Sequence, residues 1–142
     1  MTPAEERNHI PVPEIDEVNW PYFDALERGS LMYQVCLECA SNVWPPRGVC
    51  PYCLSDKLDW RESSGRGEVY SCSTVYHAPF ALWDDKVPYS LGIIHLAEDY
   101  YLFSEIVAEP DVVRIGLPVR CEVHRDESLG VSLAKFVPAE AN

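Results

Sequence analysis

The chain has 142 residues, with 23 acidic and 11 basic side chains and a net charge of −12. Apolar residues make up 47% of it, which supports a packed core and excludes a disordered chain. No apolar run reaches the roughly 20 residues of a membrane helix. The acidic first residues also lack the apolar core of a secretory signal. We therefore expect a cytoplasmic protein, and the negative charge disfavours a generic nucleic-acid binder.

The N-terminal part of the chain predicts an extended tail followed by one short helix. Residues 1–19 contain five acids and three prolines, which is typical of an acidic tail that becomes ordered against a partner. In the next segment Asn19 is expected to cap the helix, Pro21 to lie in its first turn and Gly29 to end it. Its apolar face comprises Tyr22, Phe23 and Leu26.

Two CxxC pairs, separated by ten residues, give the strongest signal in the sequence. The four cysteines are Cys36, Cys39, Cys50 and Cys53. Each CxxC turn directs two thiolates at one point, and two facing turns make a tetrahedral cage. Four protein ligands leave no open coordination position, so the predicted zinc ion is structural. Residues 20–61 therefore form a predicted unit of short helix plus rubredoxin-like zinc ribbon.

Iron is the alternative metal for four cysteine ligands, and it would make the protein a rubredoxin-like electron carrier. Rubredoxin-like turns usually place glycine after the second cysteine of each pair. Here those positions are Ala40 and Leu54, which favours zinc over iron.

Residues 62–138 predict five short strands separated by turn residues. These are Glu68–His77, Ser90–Leu96, Tyr100–Val107, Pro118–Arg125 and Val131–Val137. Five strands in about 70 residues favour a small closed or half-closed barrel, with the OB fold as the leading candidate. The expected fold class is mainly β, with the helix and ribbon preceding the barrel.

The order of these motifs resembles a known family. The residues that carry the resemblance are Leu31 to Cys39, Pro45 to Cys53, Trp60, Ser64 to Ser71, Pro88-Tyr89 and Ile115 to Val119. This set is similar to the small zinc-ribbon plus OB-fold proteins associated with acyl-CoA enzymes, long described as a domain of unknown function. The chain departs from that pattern at Val35, Ala40 and Asp99, which leaves the subfamily open.

The resemblance implies a non-catalytic accessory subunit in a hetero-oligomer. Its partner is expected to be a thiolase-like condensing enzyme, an acyltransferase, or a steroid side-chain hydratase or aldolase. The family's zinc ligands correspond to the four paired cysteines, and any acyl-CoA site is expected to be shared with the partner. No membrane or nucleic-acid partner is implied.

No local catalytic set is visible in the sequence. Cys72 and Cys121 have no base or cation beside them and are expected to be buried structural thiols. The four histidines are scattered, and His95 is expected to be a hydrogen-bonded core or interface residue. We therefore predict no acyl-transfer activity for the isolated chain.

Aromatic residues give the weaker candidate sites. The partner- or acyl-CoA-proximal candidates are Tyr22, Phe23, Leu26, Trp44, Phe80, Trp83 and Lys86. Phe80 and Trp83 lie in a proline-bounded loop, where apolar side chains either mark a binding surface or cap the end of the barrel. Three hypotheses thus remain: an accessory subunit of an acyl-CoA enzyme, a nucleic-acid-binding ribbon and OB protein, or an iron electron carrier.

Overall fold

A computed structural model describes residues 11–139 of the chain. Residues 1–10, with His9 and half of the predicted acidic tail, lie outside the described residues, as do 140–142. The first element is helix α1, Trp20–Glu27. It is followed by a three-stranded antiparallel sheet with the order β2-β1-β3. Its strands are β1 Met32–Cys36, β2 Asn42–Val43 and β3 Leu58–Glu62.

The remaining five strands form a closed barrel with the order β4-β5-β6-β8-β7. They are β4 Arg66–Val75, β5 Tyr89–Leu96, β6 Tyr101–Ile106, β7 Pro118–Asp126 and β8 Val131–Pro138. All neighbours pair antiparallel except β6 and β8, which pair in parallel. Closure and strand order agree with an OB fold, so the predicted mainly β class is confirmed, with each strand end within two residues of its expected place.

Alternation of buried and more exposed residues along β5 and β6 builds a large part of the barrel core. In β5, residues Ser90, Gly92, Ile94 and Leu96 point inward and are buried, while the residues between them are half-buried. Gly92 is required by a close approach, because a Cβ there would lie 2.6 Å from the carbonyl oxygen of Ser71. The pairing of β4 with β5 shifts at this level, since Tyr70 bulges out between its neighbours. The core is completed by Phe136, which is fully buried.

Helix α1 ends where it was expected to end, but it begins differently. Gly29 adopts a φ of +80° and its amide donates to the carbonyl of Leu26, which terminates the helix. The side chain of Asn19 makes no capping hydrogen bond. Its Oδ1 instead accepts from the amide of Asp16, so the predicted side-chain cap is wrong. The Asn19 side-chain oxygen is therefore used in the turn before the helix and not by the first amides of the helix.

Polar contacts fix the helix and the ribbon on the barrel. The carboxylate of Glu27 in α1 accepts from the Arg125 guanidinium at 2.6 Å and from the Ser132 amide at 3.1 Å. On the ribbon side, the Asn42 side-chain amide donates to the carbonyls of Glu98 and Asp99 at 2.6 and 3.0 Å. Glu27 of the helix and Asn42 of the ribbon therefore each attach their segment to the barrel through short hydrogen bonds.

The turn between β5 and β6 explains one departure from the family pattern. Asp99 adopts a φ of +65°, the left-handed region in which glycine is the usual residue. Aspartate tolerates this conformation better than most residues. Its carboxylate also lies 2.8 Å from Nε2 of His95, which fixes the turn.

Among the described residues there is no helix of the length and apolarity needed to cross a membrane.

Candidate functional site

Two similar turns carry the four paired cysteines. In the first, the amide of Cys36 donates to the Ser41 carbonyl and the amide of Ala40 donates back to the Cys36 carbonyl, both at 2.9 Å. The second turn repeats this pattern between Cys50 and Ser55, with the amide of Leu54 donating to the Cys50 carbonyl at 2.9 Å. The backbone thus forms two matching loops, one at the end of β1 and one after Gly48.

The residue after each CxxC pair adopts a left-handed conformation. Ala40 has a φ of +62° and Leu54 a φ of +65°. Both turns therefore adopt the conformation for which glycine is preferred, although neither contains glycine at this position. The absence of glycine consequently says nothing about the shape of the turns, and it does not discriminate between zinc and iron.

The four sulfur atoms lie within 4.8 Å of one another. The Cys36 and Cys53 sulfurs are 3.6 Å apart, and the Cys39 and Cys50 sulfurs are 3.7 Å apart. A regular tetrahedron of thiolates around zinc, with Zn–S bonds of about 2.3 Å, separates its sulfurs by roughly 3.8 Å. The cluster therefore fits one four-coordinate metal ion, and all four positions would be occupied by protein.

The cluster is half-buried. Cys36 and Cys50 are 1% and 0% exposed, whereas Cys39 and Cys53 face the surface. Hydrogen bonding to Ser41 lowers the pKa of the Cys39 thiol to about 6. Thiolate is the form of cysteine that binds metal.

A large apolar groove lies between α1, the barrel and the loop before β5. Its volume is about 870 Å³, which is in the range of small-molecule sites. All seven of the predicted partner- or acyl-CoA-proximal candidates line it: Tyr22, Phe23, Leu26, Trp44, Phe80, Trp83 and Lys86. The structure therefore brings the aromatic candidates of the helix, the ribbon and the barrel loop to one cavity.

These candidates differ sharply in exposure. Leu26 is 1% exposed and belongs to the barrel core, and Tyr22, Phe23 and Trp44 are half-buried against that core. The Tyr22 ring packs against Phe23 and Trp44 at centroid distances of 5.1 and 4.8 Å. By contrast, Phe80 is 64% exposed. The helix and ribbon residues thus form the floor of the groove, and Phe80 stands at its rim.

In the loop before β5, the neighbouring side chains pack around the Trp83 ring. Ala81–Trp83 forms a single 3₁₀ turn. The Lys86 ammonium lies 4.8 Å from the centre of the Trp83 ring, which is a cation–π contact, and Tyr89 packs on that ring at 5.7 Å. Lys86 and Trp83 therefore present a combined apolar and cationic edge to the groove.

Two histidines have acidic partners that the sequence did not reveal. His95 bonds Asp99 at 2.8 Å, and Nε2 of His124 lies 2.9 Å from the Glu122 carboxylate. Neither histidine bonds a hydroxyl or a thiol within residues 11–139. Both pairs are therefore structural contacts at the barrel surface. His77 is exposed in the loop after β4.

The two unpaired cysteines are half-buried and pack against the barrel core. Burial and the nearby Glu122 carboxylate raise the pKa of the Cys121 thiol to about 11. A thiol that stays protonated at neutral pH is a poor nucleophile. Cys72 lies opposite Gly92 on β5.

The exposed apolar surface on the outward side of β6 was not predicted from the sequence. β6 carries large apolar residues on both faces, with Leu102 pointing inward and Tyr101 and Phe103 pointing outward. The signal in the sequence was the run Tyr100–Phe103, which is apolar without alternation. A strand that contacts only the core alternates apolar and polar residues.

Comparison with known proteins matches both parts of this architecture to family models. The model of the ChsH2 rubredoxin-like zinc ribbon domain matches residues 23–59, and the model of the ChsH2 C-terminal OB-fold domain matches residues 60–124. A chain of the solved structure described as "Ltp2-ChsH2(DUF35) aldolase" superposes with a TM-score of 0.79 and 31% identity. The match covers 90% of this chain and 99% of that chain.

Three curated relatives are similar in sequence. A "DUF35 domain-containing scaffold protein" of Methanocaldococcus jannaschii is 33% identical over 80% of this chain and 85% of its own length. "Benzoylsuccinyl-CoA thiolase subunit BbsA" of Thauera aromatica is 29% identical over 71% and 69%. "Probable enoyl-CoA hydratase alpha subunit" of Thermomonospora curvata is 34% identical over 77% of this chain, which spans only 34% of that relative's length. The chain belongs to the ChsH2-like DUF35 family, in which a rubredoxin-like zinc ribbon precedes an OB-fold domain.

Proposed function

We propose that this protein is a non-catalytic scaffold subunit of a thiolase-like or aldolase enzyme that handles acyl-CoA substrates. The observation that carries the proposal is the 31% identity, over 90% of the chain, to the ChsH2(DUF35) chain of an aldolase structure. The similarity to a subunit of benzoylsuccinyl-CoA thiolase adds support from a second enzyme class. A hetero-oligomer of this chain with one such enzyme is the expected assembly.

Within residues 11–139 the structure assembles no acyl-transfer site, which supports the same proposal. Acyl transfer requires an activated nucleophile, a base and an oxyanion site. Among the described residues, the thiol of Cys121 has a raised pKa and neither His95 nor His124 bonds a nucleophile. The chemistry is therefore assigned to the partner.

A structural zinc ion is the proposed cofactor. Cys36, Cys39, Cys50 and Cys53 would hold it with their sulfur atoms, whose spacing fits tetrahedral thiolate coordination. With no open position, the ion would hold the two turns together and supply no Lewis-acid chemistry. The reduced thiols that this site needs also favour a cytoplasmic location.

The groove is proposed to contribute to the acyl-CoA site of the complex. It is lined largely by apolar side chains, and Lys86 places a positive charge beside Trp83 at its edge. Such an edge suits a ligand with an apolar acyl part and a nearby anionic group. The described part of this chain offers no glycine-rich phosphate loop, so the partner would supply most contacts to the CoA phosphates.

Co-purification from the native host tests the proposed function. The tagged full chain is purified at physiological salt, bound proteins are identified by mass spectrometry, and the partner is then prepared recombinantly and mixed with pure wild-type chain. A stoichiometric complex with a thiolase-like or aldolase subunit, which alone turns over the thioester poorly, is expected. Thioester turnover by the isolated chain would contradict the proposal, as would a partner outside acyl-CoA chemistry.

A further inference from the structure

The outward side of strands β4, β5 and β6 carries an apolar surface. It consists of Tyr70, Ile93, His95, Tyr101 and Phe103, and is called here the outer face. Phe103 is 68% exposed, Tyr70 59% and Tyr101 46%. Such large rings are uncommon on the solvent side of a barrel, where polar residues are expected. A contiguous exposed apolar patch of this kind typically marks an interaction site.

Three rings of the outer face, those of Tyr70, His95 and Tyr101, contact one another. Ile93 lies opposite Phe103 and His95 opposite Tyr101 in the β5–β6 pairing. The His95 ring stacks on Tyr101 with centroids 4.6 Å apart and planes 8° apart. Tyr70, which bulges from β4, packs edge-on against Tyr101 at 5.1 Å.

A hydrogen bond between two side chains ties this cluster to the β5–β6 turn. The His95 ring is bound by the Asp99 carboxylate at 2.8 Å, and Asp99 lies in the tight β5–β6 turn. Because the rings of Tyr70, His95 and Tyr101 contact one another without a partner, docking on them would cost little side-chain entropy. These three rings are thus a preorganised part of the outer face, next to the exposed Phe103.

The charges around the outer face indicate the kind of partner. Glu68 on β4 and Asp99 in the turn are exposed acids at its edge, and Glu105 lies next to Phe103 on the outward side of β6. Glu105 is paired with Lys135 at 2.8 Å. With a chain charge of −12, this edge repels both a phosphate backbone and a second acidic copy of the chain. It complements an apolar patch bordered by lysine and arginine.

The outer face also continues into the groove. Phe103 and Glu105 line the groove as well, together with the outward-facing Leu91 of β5. A protein seated on Phe103 would therefore cover one side of the groove. This position suits a partner that completes a site there.

We propose that the outer face docks an apolar, basic-edged surface of the partner enzyme and that this contact encloses the groove. The inference rests on the proposed scaffold function and deepens it by assigning the interface. Phe103 is its central anchor, because it is the most exposed ring and the one shared with the groove. Aromatic anchors at such positions carry a large share of interface energy.

Binding of the purified partner enzyme to wild-type and variant chains tests this assignment. Phe103→Glu is expected to raise the dissociation constant of the complex at least about 30-fold, as the loss of a hot-spot residue does. Tyr52→Glu is the matched control, because Tyr52 is a ring of similar exposure, 72%, on the ribbon. It is expected to bind within about threefold of wild type. Unchanged zinc content and circular dichroism establish that both variants fold.

A photocrosslinker keeps the test decisive if Phe103→Glu does not fold. With p-benzoylphenylalanine at position 103 or 52, only position 103 is expected to crosslink to the partner enzyme. Crosslinking from position 52 alone, or equal binding by wild type and Phe103→Glu, overturns the interface while leaving the scaffold function intact. Failure of wild type to bind the enzyme at all overturns the scaffold function and the interface together.

Two further outcomes would assign the outer face to another occupant. Binding of a fluorescent 20-nucleotide oligothymidylate at physiological salt, lost in Phe103→Glu, would make it a nucleic-acid platform of the kind that OB folds use. A wild-type dimer in light scattering that Phe103→Glu converts to a monomer would make it a self-association surface. Either result overturns the proposal.

Discussion

Tyr33 of β1 and Tyr100, the residue before β6, stack face to face with ring centroids 4.7 Å apart and planes 14° apart. This pair joins the ribbon to the barrel, and Trp44 packs on the same Tyr100 ring at 5.9 Å. The two parts of the molecule are thus connected by an aromatic contact as well as by the hydrogen bonds of Asn42. These contacts hold the ribbon against the barrel.

The stacked pair gives a stability prediction. Tyr33→Ala should lower the free energy of unfolding by about 2 kcal/mol, because it removes a half-buried ring from a stacked contact. Tyr100→Phe should change it by no more than about 1 kcal/mol and in the stabilising direction. The Tyr100 hydroxyl is buried with no hydrogen-bond partner in the described part of the chain. Denaturant unfolding followed by fluorescence measures both, and a costly Tyr100→Phe would reveal a hidden partner of that hydroxyl.

Loss of one cysteine ligand should release the metal. Cys36→Ser and Cys53→Ser should reduce bound zinc from about one ion per chain to near zero and give insoluble or partner-free protein. Cys72→Ser is the control, because Cys72 packs against the barrel core outside the cluster. Elemental analysis of the purified proteins measures the metal. Iron in place of zinc, or a Cys36→Ser protein that keeps its metal and its partner, would contradict the structural zinc site.

The left-handed residue of the second turn predicts a stabilising substitution. Leu54 has a φ of +65° and a 76% exposed side chain, so Leu54→Gly removes strain without removing packing. We expect a gain of about 1 kcal/mol, visible as slower zinc loss to a chelator. Leu37→Gly is the matched control, because Leu37 is also exposed but its φ is not positive. This variant should have a free energy of unfolding about 1 kcal/mol lower than wild type. Equal effects of the two changes would show that the conformation carries no strain.

Removal of the Trp83 ring should affect substrate binding but not assembly. In the complex with the partner enzyme, Trp83→Ala is expected to raise the KM for the thioester about tenfold and leave the elution volume unchanged. Tyr76→Ala serves as the control, because Tyr76 is an exposed ring in the same loop region that does not line the groove. If Trp83→Ala and Tyr76→Ala both turn over like wild type, the Trp83 ring only caps the barrel.

Cys121 predicts a loss of stability at alkaline pH. Its pKa is raised from an ordinary value of 9 to about 11 in the folded chain, by burial and by Glu122. Between these two values the unfolded chain ionises this thiol and the folded chain does not, so unfolding becomes more favourable as the pH rises. Cys121→Ala should flatten this decline between pH 9 and 11 in denaturant titrations, compared with Cys72→Ala. An unchanged slope would mean that Cys121 ionises freely in the folded state.

The sequence by itself determined the features that depend on near neighbours. The two CxxC spacings fix the cysteine cluster, because each turn places its sulfurs through hydrogen bonds within six residues. The alternation of Val119, Cys121 and Val123 likewise fixes which side of β7 meets the core. Gly29 ends the helix through its own backbone conformation. None of these features requires knowledge of what packs against them.

Only the tertiary structure decided how distant segments meet. Leu102 and Phe103 are adjacent and equally apolar, yet one is buried and the other lies on the outer face, because strand pairing with Ile93 and Ile94 fixes their directions. The stack of Tyr33 on Tyr100 joins residues far apart in the chain, so no local pattern could indicate it. The groove arises in the same way, where the helix, the ribbon and the Phe80 loop converge. Local hydrogen bonding built the elements, and long-range packing decided which side chains stayed exposed.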